Sequence, residues 1–224
     1  MRSKKVIINS LALAFSEIIS IICGLILPRL ILKNFGSDYN GIVSSITQII
    51  SFVTLLRAGV GGVTRAALYK PLVENDINEI SAIVNATEQF MRKIALIFAV
   101  TVLGLATIYP FFVSEFDWLF SFTLFLILSI STLIQYYFGI AYQILLIADQ
   151  RNYIYTLINI VSVIINTLLS VLLINIKCSI HVVKLGSAAA FAITPIVLNT
   201  YVKKRYSINK KVKPNTSALK QRWD

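Results

Sequence analysis

Long apolar runs separated by short charged stretches set the pattern of this chain: residues 6–32, 41–56, 94–113, 119–147, 153–176 and 185–202 carry few charges. A helix needs about 20 apolar residues to cross a hydrocarbon core about 30 Å thick. The runs have neither period-two alternation nor regular turns. They predict helices, which satisfy every backbone group within one segment in lipid. The expected architecture is therefore all-α: a polytopic membrane protein built as a six-transmembrane-helix bundle over residues 1–202.

Between the second and third runs, residues 63–93 are too polar to span. Leu68, Leu72, Ile77, Ile80, Ile83 and Val84 recur at roughly helical spacing among Glu74, Asp76 and Glu79. A pair of interfacial or cytoplasmic helices is expected there. Residues 203–224 form a basic linker containing Pro214. Its end, Ala218-Leu219-Lys220-Gln221-Arg222-Trp223-Asp224, reads as the opening of another amphipathic element. The chain is expected to be a piece of a longer protein.

Composition strengthens this reading. Hydrophobic residues make up 57% of the chain and the mean hydropathy is +0.77, both outside the range of ordinary soluble domains. The net charge of +11 raises nucleic acid as a partner, but no basic helix or aromatic platform stands apart from the spans, so none is expected. The charges cluster at span ends instead. Of the 21 lysines and arginines, Arg29, Lys33, Lys177 and Lys184 alone fall on the side opposite the N-terminus. By the positive-inside rule both termini are cytoplasmic. Trp118 beside Asp117 suits the outer interface. Asn85-Ala86-Thr87 and Asn215-Thr216-Ser217 match the glycosylation pattern but fall on the cytoplasmic side.

Candidate chemistry is sparse. Cys23 and Cys178 have no metal-ligand spacing and His181 is the single histidine, so neither a metal site nor a catalytic triad is expected, and no cofactor. The apolar run after Met1-Arg2-Ser3-Lys4-Lys5 continues to Leu32, too far for a signal peptide, and is read as a retained span.

Polar residues inside the spans need a reason, because an ionisable group in hydrocarbon costs about 2.5–3.5 kcal/mol or more. Glu17 lies near the middle of the first span, on a stripe with Asn9, Leu13, Ser20, Gly24 and Pro28 expected to face helices or water. It either carries a coupling ion or is a protonated structural acid. Arg29 and Arg57 close the first two spans, either snorkelling to headgroups or gripping an anionic group. Similar stripes occur at Ser44, Gln48 and Ser51; at Ser129, Thr132, Tyr136, Gly139 and Gln143; and at Asn152, Thr156, Asn159, Asn166 and Ser170. Polar faces on four of the six helices point to a shared aqueous interior, with interhelical hydrogen bonding as the alternative. Gly59-Val60-Gly61-Gly62 closes the second span as a tight turn or a hinge.

Four stretches carry a resemblance. Leu27-Pro28-Arg29-Leu30-Ile31-Leu32-Lys33-Asn34-Phe35-Gly36 with Tyr39-Asn40-Gly41 resembles the first two spans of bacterial polysaccharide-repeat-unit flippases (the Wzx type). Leu55-Leu56-Arg57-Ala58-Gly59-Val60-Gly61-Gly62-Val63-Thr64-Arg65 is similar to the end of their second span, with Arg57 where that family commonly has Asp. The segment from Ala67 to Asp76 is similar to their cytoplasmic loop, and Leu219-Lys220-Gln221-Arg222-Trp223 to their mid-protein linker.

The resemblance implies the N-terminal bundle of a 12–14-span protein, related to lipid II flippases and multidrug-and-toxin extruders and working by alternating access. The ligand it implies is an undecaprenyl-pyrophosphate-linked oligosaccharide, flipped across the bacterial cytoplasmic (inner) membrane without any bond being made or broken, so the protein is not expected to be an enzyme. Arg29 and Arg57 match the pyrophosphate contacts by residue type. Glu17 is the candidate for coupling to H+ or Na+. Asn9, Ser20, Gln48, Ser51, Tyr136, Gln143, Asn159 and Asn166 are the candidate cavity-lining polar residues. Implied partners are membrane lipids, a C-terminal bundle or a second copy, and a polysaccharide polymerase with its export machinery. Two alternatives stand: an ion-coupled drug or metabolite antiporter, and a non-transporting scaffold for glycan assembly.

Overall fold

A computed structural model of the protein describes the backbone of residues 2–57, 59–113 and 115–215, and the side chains of all of these except residues 2–4, 56 and 57. The Arg57 side chain and the linker-like stretch 219–223 therefore lie outside the described residues. Among the described residues eight α-helices follow in order: α1 (Arg2–Phe35), α2 (Ser37–Val53), α3 (Val60–Glu74), α4 (Ile77–Ile108), α5 (Trp118–Phe138), α6 (Ile140–Ala148), α7 (Asn152–Asn175) and α8 (Ile180–Tyr206). Short 3-10 turns follow α2 (Thr54–Arg57) and α4 (Tyr109–Phe112). No strand occurs among the described residues.

Among the described residues five segments are long and apolar enough to cross a membrane: Lys5–Phe35, Ile77–Phe112, Trp118–Phe138, Asn152–Asn175 and Ile180–Tyr206. The second expected span corresponds to α2, which has 17 residues. At 1.5 Å per residue it is about 26 Å long, at the short limit for a span.

Local chemistry explains the breaks. The Asp76 side chain caps α4 by accepting from the backbone of Asn78 and Glu79, at 3.0 Å each, which satisfies two otherwise orphaned donors. Asn75 before it takes a left-handed conformation with φ 56°, a shape that Asn tolerates better than most residues. Gly36, at φ 97°, turns the chain between α1 and α2 where other side chains would be strained.

The membrane-length helices pack side by side in the order α1, α7, α8, α5, α4, with α2 touching α1, α5 and α4. Long-range contacts sort the loops into two ends. At one end the start of α1 meets the α6–α7 loop (Lys5 to Asp149, 3.2 Å), and the end of α8 meets the same loop (Tyr206 to Asp149, 2.6 Å). At the other, Tyr39 stacks edge-on with Phe116 at 4.9 Å and with Phe120 at 5.7 Å. Phe120 in turn meets the His181 ring at 4.5 Å. Both ends of the described chain thus share the basic end of the bundle.

Two boundaries differ from the pattern-based expectation. The helix pair expected over 63–93 is α3 plus the first half of α4, and α4 runs without a break through Arg92 and Lys93 into the third expected span. At 32 residues it is about 48 Å long, enough to cross a 30 Å core and still project well beyond it. Its polar half is held by protein: Ile80 to Glu88 are buried, and Arg92 lies 5.0 Å over the Tyr137 ring. The fourth expected span is interrupted at Gly139, giving α5 and α6. There α8 approaches so closely that a Cβ on Gly139 would stand 3.0 Å from the Pro195 Cβ.

Candidate functional site

The candidate polar residues fall mainly in three places rather than one. The first is a cavity of about 170 Å³ between α5, α7 and α8, lined by Ser131, Thr132, Gln135, Asn159 and Thr194 with Phe191 and Pro195. Gln135 donates to the Tyr155 hydroxyl at 3.4 Å, and Thr194 donates to Ser162 at 2.8 Å. Farther along α7, Ser170 donates to Asn166 at 3.4 Å and pairs with Ser187 of α8 at 3.2 Å. Asn159 therefore lines open space, whereas Asn166 is spent on a buried interhelical network.

The second place is a cavity of about 330 Å³ between α3, α4 and α6, where Gln143 stands with Arg65, Met91, Ile144 and the glycines of the α3 start. Tyr136 belongs to neither cavity. It is 1% exposed, packs on Phe98 at 5.2 Å and donates to the Thr54 carbonyl at 3.2 Å, so it ties α5 to the turn after α2.

The third place is the outer face of α1 and α2. On α2, Ile42, Val43, Ile46 and Ile50 point inward, while Gly41, Ser44, Ser45, Thr47, Gln48 and Ser51 are exposed. Ser51 and Thr47 return their hydroxyls to carbonyls of their own helix, a common way for a helix to satisfy Ser and Thr without another partner. On α1 the inward stripe is Asn9, Ala12, Ser16, Ser20, Cys23, Leu27 and Ile31, at steps of three and four, and Glu17 is exposed beside it. At about 100° per residue, Glu17 shares its line with Ser10 and Gly24, seven residues away on either side, and both are exposed. Leu11, Ile18 and Leu25 form the next line, exposed by 66%, 55% and 70%. The α1 surface thus passes from a buried stripe, through a flank of small and polar residues, to an apolar face.

The remaining predicted residues separate. Arg29 is exposed and continues the apolar face, seven residues after Ile22 and four after Leu25. It lies at the end of the bundle opposite Arg57, so one bound group cannot touch both at once. Asn9 carries an interhelical bond: it donates to the Gln150 carbonyl at 3.0 Å and accepts from the Tyr153 backbone at 2.7 Å. Ser20 is half-buried on the same inward stripe, about three turns farther along α1.

Pattern reading missed the most connected charge. Asp149 meets Lys5 at 3.2 Å, Arg151 at 2.7 Å and the Tyr206 hydroxyl at 2.6 Å. The Arg151 Nε contact is charge against charge, since that N–H finds no aligned acceptor. Burial works against the Arg151 guanidinium, but Asp149, Tyr206 and Tyr201 together outweigh it and hold its pKa above the ordinary value. The sequence signal was present: Asp149 is the lone acid between the fourth and fifth runs.

Among the described residues no group of His, Cys, Asp and Glu is arranged to hold a metal ion. No protein-family model, curated protein or solved structure matches the chain.

Proposed function

We propose that this chain is the N-terminal bundle of a flippase for lipid-linked oligosaccharide, with α2 as its sixth span and both termini cytoplasmic in the bacterial inner membrane. One observation carries the reading. The Ser44–Gln48–Ser51 face of α2 and the Glu17 flank of α1 lie exposed on a bundle whose helices suit a membrane. Lipid is a poor neighbour for an ionisable side chain and a glutamine, so these faces border an aqueous groove. A groove of that kind lets sugars and a pyrophosphate keep hydrogen-bonding partners while the polyprenyl chain stays in hydrocarbon.

In this reading Arg57 and Arg29 act at successive stages, since they stand at opposite ends: Arg57 meets the pyrophosphate on the basic, cytoplasmic side and Arg29 on the far side. Each guanidinium matches a phosphate in a bidentate pair. Glu17 lies between them on the same pair of helices and takes up the coupling ion. Chemistry on the glycan is not required, and the work done is transfer between leaflets.

The test is genetic and chemical. Deleting the gene should abolish surface polysaccharide and leave lipid-linked glycan trapped in the cytoplasmic leaflet. The intact gene should restore export, and versions carrying Glu17→Leu or Gln48→Leu should fail at normal protein levels. A deletion strain with normal polysaccharide and altered drug resistance would favour an antiporter. Normal export with both leucine variants would favour a scaffold.

A further inference from the structure

At the basic end, where α3 hands over to α4 and α8 ends beside the α6–α7 loop, the structure holds a pocket of about 300 Å³. Its lining is mixed in a particular way. Leu72, Ile77 and Ile80 supply apolar surface, and Arg151 and Arg205 supply two guanidinium groups. Asp149 also lines it, but that carboxylate is already engaged by Lys5, Arg151 and the Tyr206 hydroxyl. The positive charge of Arg205 is not answered in this way: its side chain is exposed and makes no ion pair or hydrogen bond among the described residues. Lys203 and Lys204 precede it in the last turn of α8, so the local balance is cationic even with Asp149 counted. Of the nearby acids, Asp76 is occupied in capping α4.

An apolar strip beside an unanswered guanidinium, at the end of a membrane-length helix, is the chemistry of an amphiphilic anion. Arg pairs phosphate oxygens through two parallel N–H groups. Basic pockets at the ends of spanning helices recognise anionic headgroups in this way. We propose that the pocket binds a phosphate ester through Arg205, with Arg151 beside it and Leu72, Ile77 and Ile80 against the carbon portion of the ligand. The apolar strip favours the phosphodiester headgroup of an anionic phospholipid as the source. This assignment is separate from the transport reading and stands whether or not that reading holds.

The test uses the full chain purified in a zwitterionic-free, uncharged detergent, with thermal unfolding followed as phosphatidylglycerol, phosphatidylcholine or glycerol 3-phosphate is added. Ligand binding to the native state raises Tm with concentration. Phosphatidylglycerol should raise Tm by several degrees over phosphatidylcholine, and Arg205→Gln should remove at least half of that difference. Without ligand the variant should unfold at the wild-type temperature, because Arg205 is exposed and unpaired. If glycerol 3-phosphate reproduces the effect in an Arg205-dependent way, the site is supported and a soluble phosphate ester becomes its ligand. Equal responses to phosphatidylglycerol and phosphatidylcholine without any response to glycerol 3-phosphate would overturn the proposal. So would a full phosphatidylglycerol response in Arg205→Gln.

Discussion

Lys5 at the start of α1 and Asp149 in the α6–α7 loop, 144 residues apart in sequence, stand 3.2 Å from each other. The same carboxylate holds Arg151 and accepts from Tyr206, so one acid joins three parts of the basic end. Replacing it leaves Lys5 and Arg151 facing each other without a counter-charge. Because Lys5 is a third exposed and Asp149 is about a fifth exposed, solvent screens part of the loss. A cost of about 1–3 kcal/mol is expected for Asp149→Asn, read as a Tm lower by several degrees in detergent. Lys70→Ala is the contrast. Its partner Glu74 is 3.9 Å away and both are well exposed, so no measurable change is expected.

Two glycines separate backbone crowding from side-chain crowding. A Cβ on Gly139 would meet the Pro195 Cβ at 3.0 Å and the Gln135 carbonyl oxygen at 3.2 Å. Neither can swing away, so Gly139→Ala should cost about 1–3 kcal/mol. At Gly186 the nearest atoms are the tips of Leu173 and Leu169, at 2.8 and 3.2 Å. Those side chains can shift, and alanine favours the helix by up to about 1 kcal/mol. Thermal unfolding of the two variants should therefore place Gly186→Ala near wild type and Gly139→Ala clearly below it.

After α8 the chain folds back along α4. Asn85 donates to the carbonyls of Asn209 and Val212 at 3.1 and 3.0 Å, Lys210 meets Glu88 at 3.3 Å, and the Asn209 backbone donates to Ser81 at 3.1 Å. Asn85→Ala removes two of these bonds, worth about 1–2 kcal/mol together. Trypsin should then cut at Lys210, Lys211 or Lys213 about tenfold faster, because cleavage follows the population of the opened strap. Unchanged cleavage would mean that the strap is held by its other contacts.

Much of this organisation was legible in the chain, and the misses have physical causes. The long helices could be read because apolar length alone decides them. Loop sidedness could be read because the basic residues collect at one end. The polar stripe of α1, Asn9, Leu13, Glu17, Ser20, Gly24 and Pro28, is expected from the sequence to face helices or water. Burial instead follows Asn9, Ala12, Ser16, Ser20 and Cys23. Polar identity drew the reading toward Glu17, whereas packing on α7 sets which side is covered. The break at Gly139 depends on Pro195, and the Asp149 cluster joins residues far apart in sequence. Neither leaves a periodic trace. The polar half of α4 looked like a separate interfacial helix because Glu88 and Arg92 find their partners, Lys210 and Tyr137, only in the fold.

The central claim is that the Gln48 face of α2 and the Glu17 flank of α1 border water and not lipid. Cysteine accessibility in native membranes tests it most directly, with Cys23 and Cys178 first replaced by alanine. Single cysteines at Gln48, Ser44 and Glu17 should react with a small, charged, membrane-impermeant thiol reagent. A cysteine at Leu25, on the apolar face of α1 and 70% exposed, should not. If the Gln48, Ser44 and Glu17 positions are as unreactive as Leu25, while a control cysteine at exposed Lys204 reacts, no aqueous groove runs along this face and the account fails.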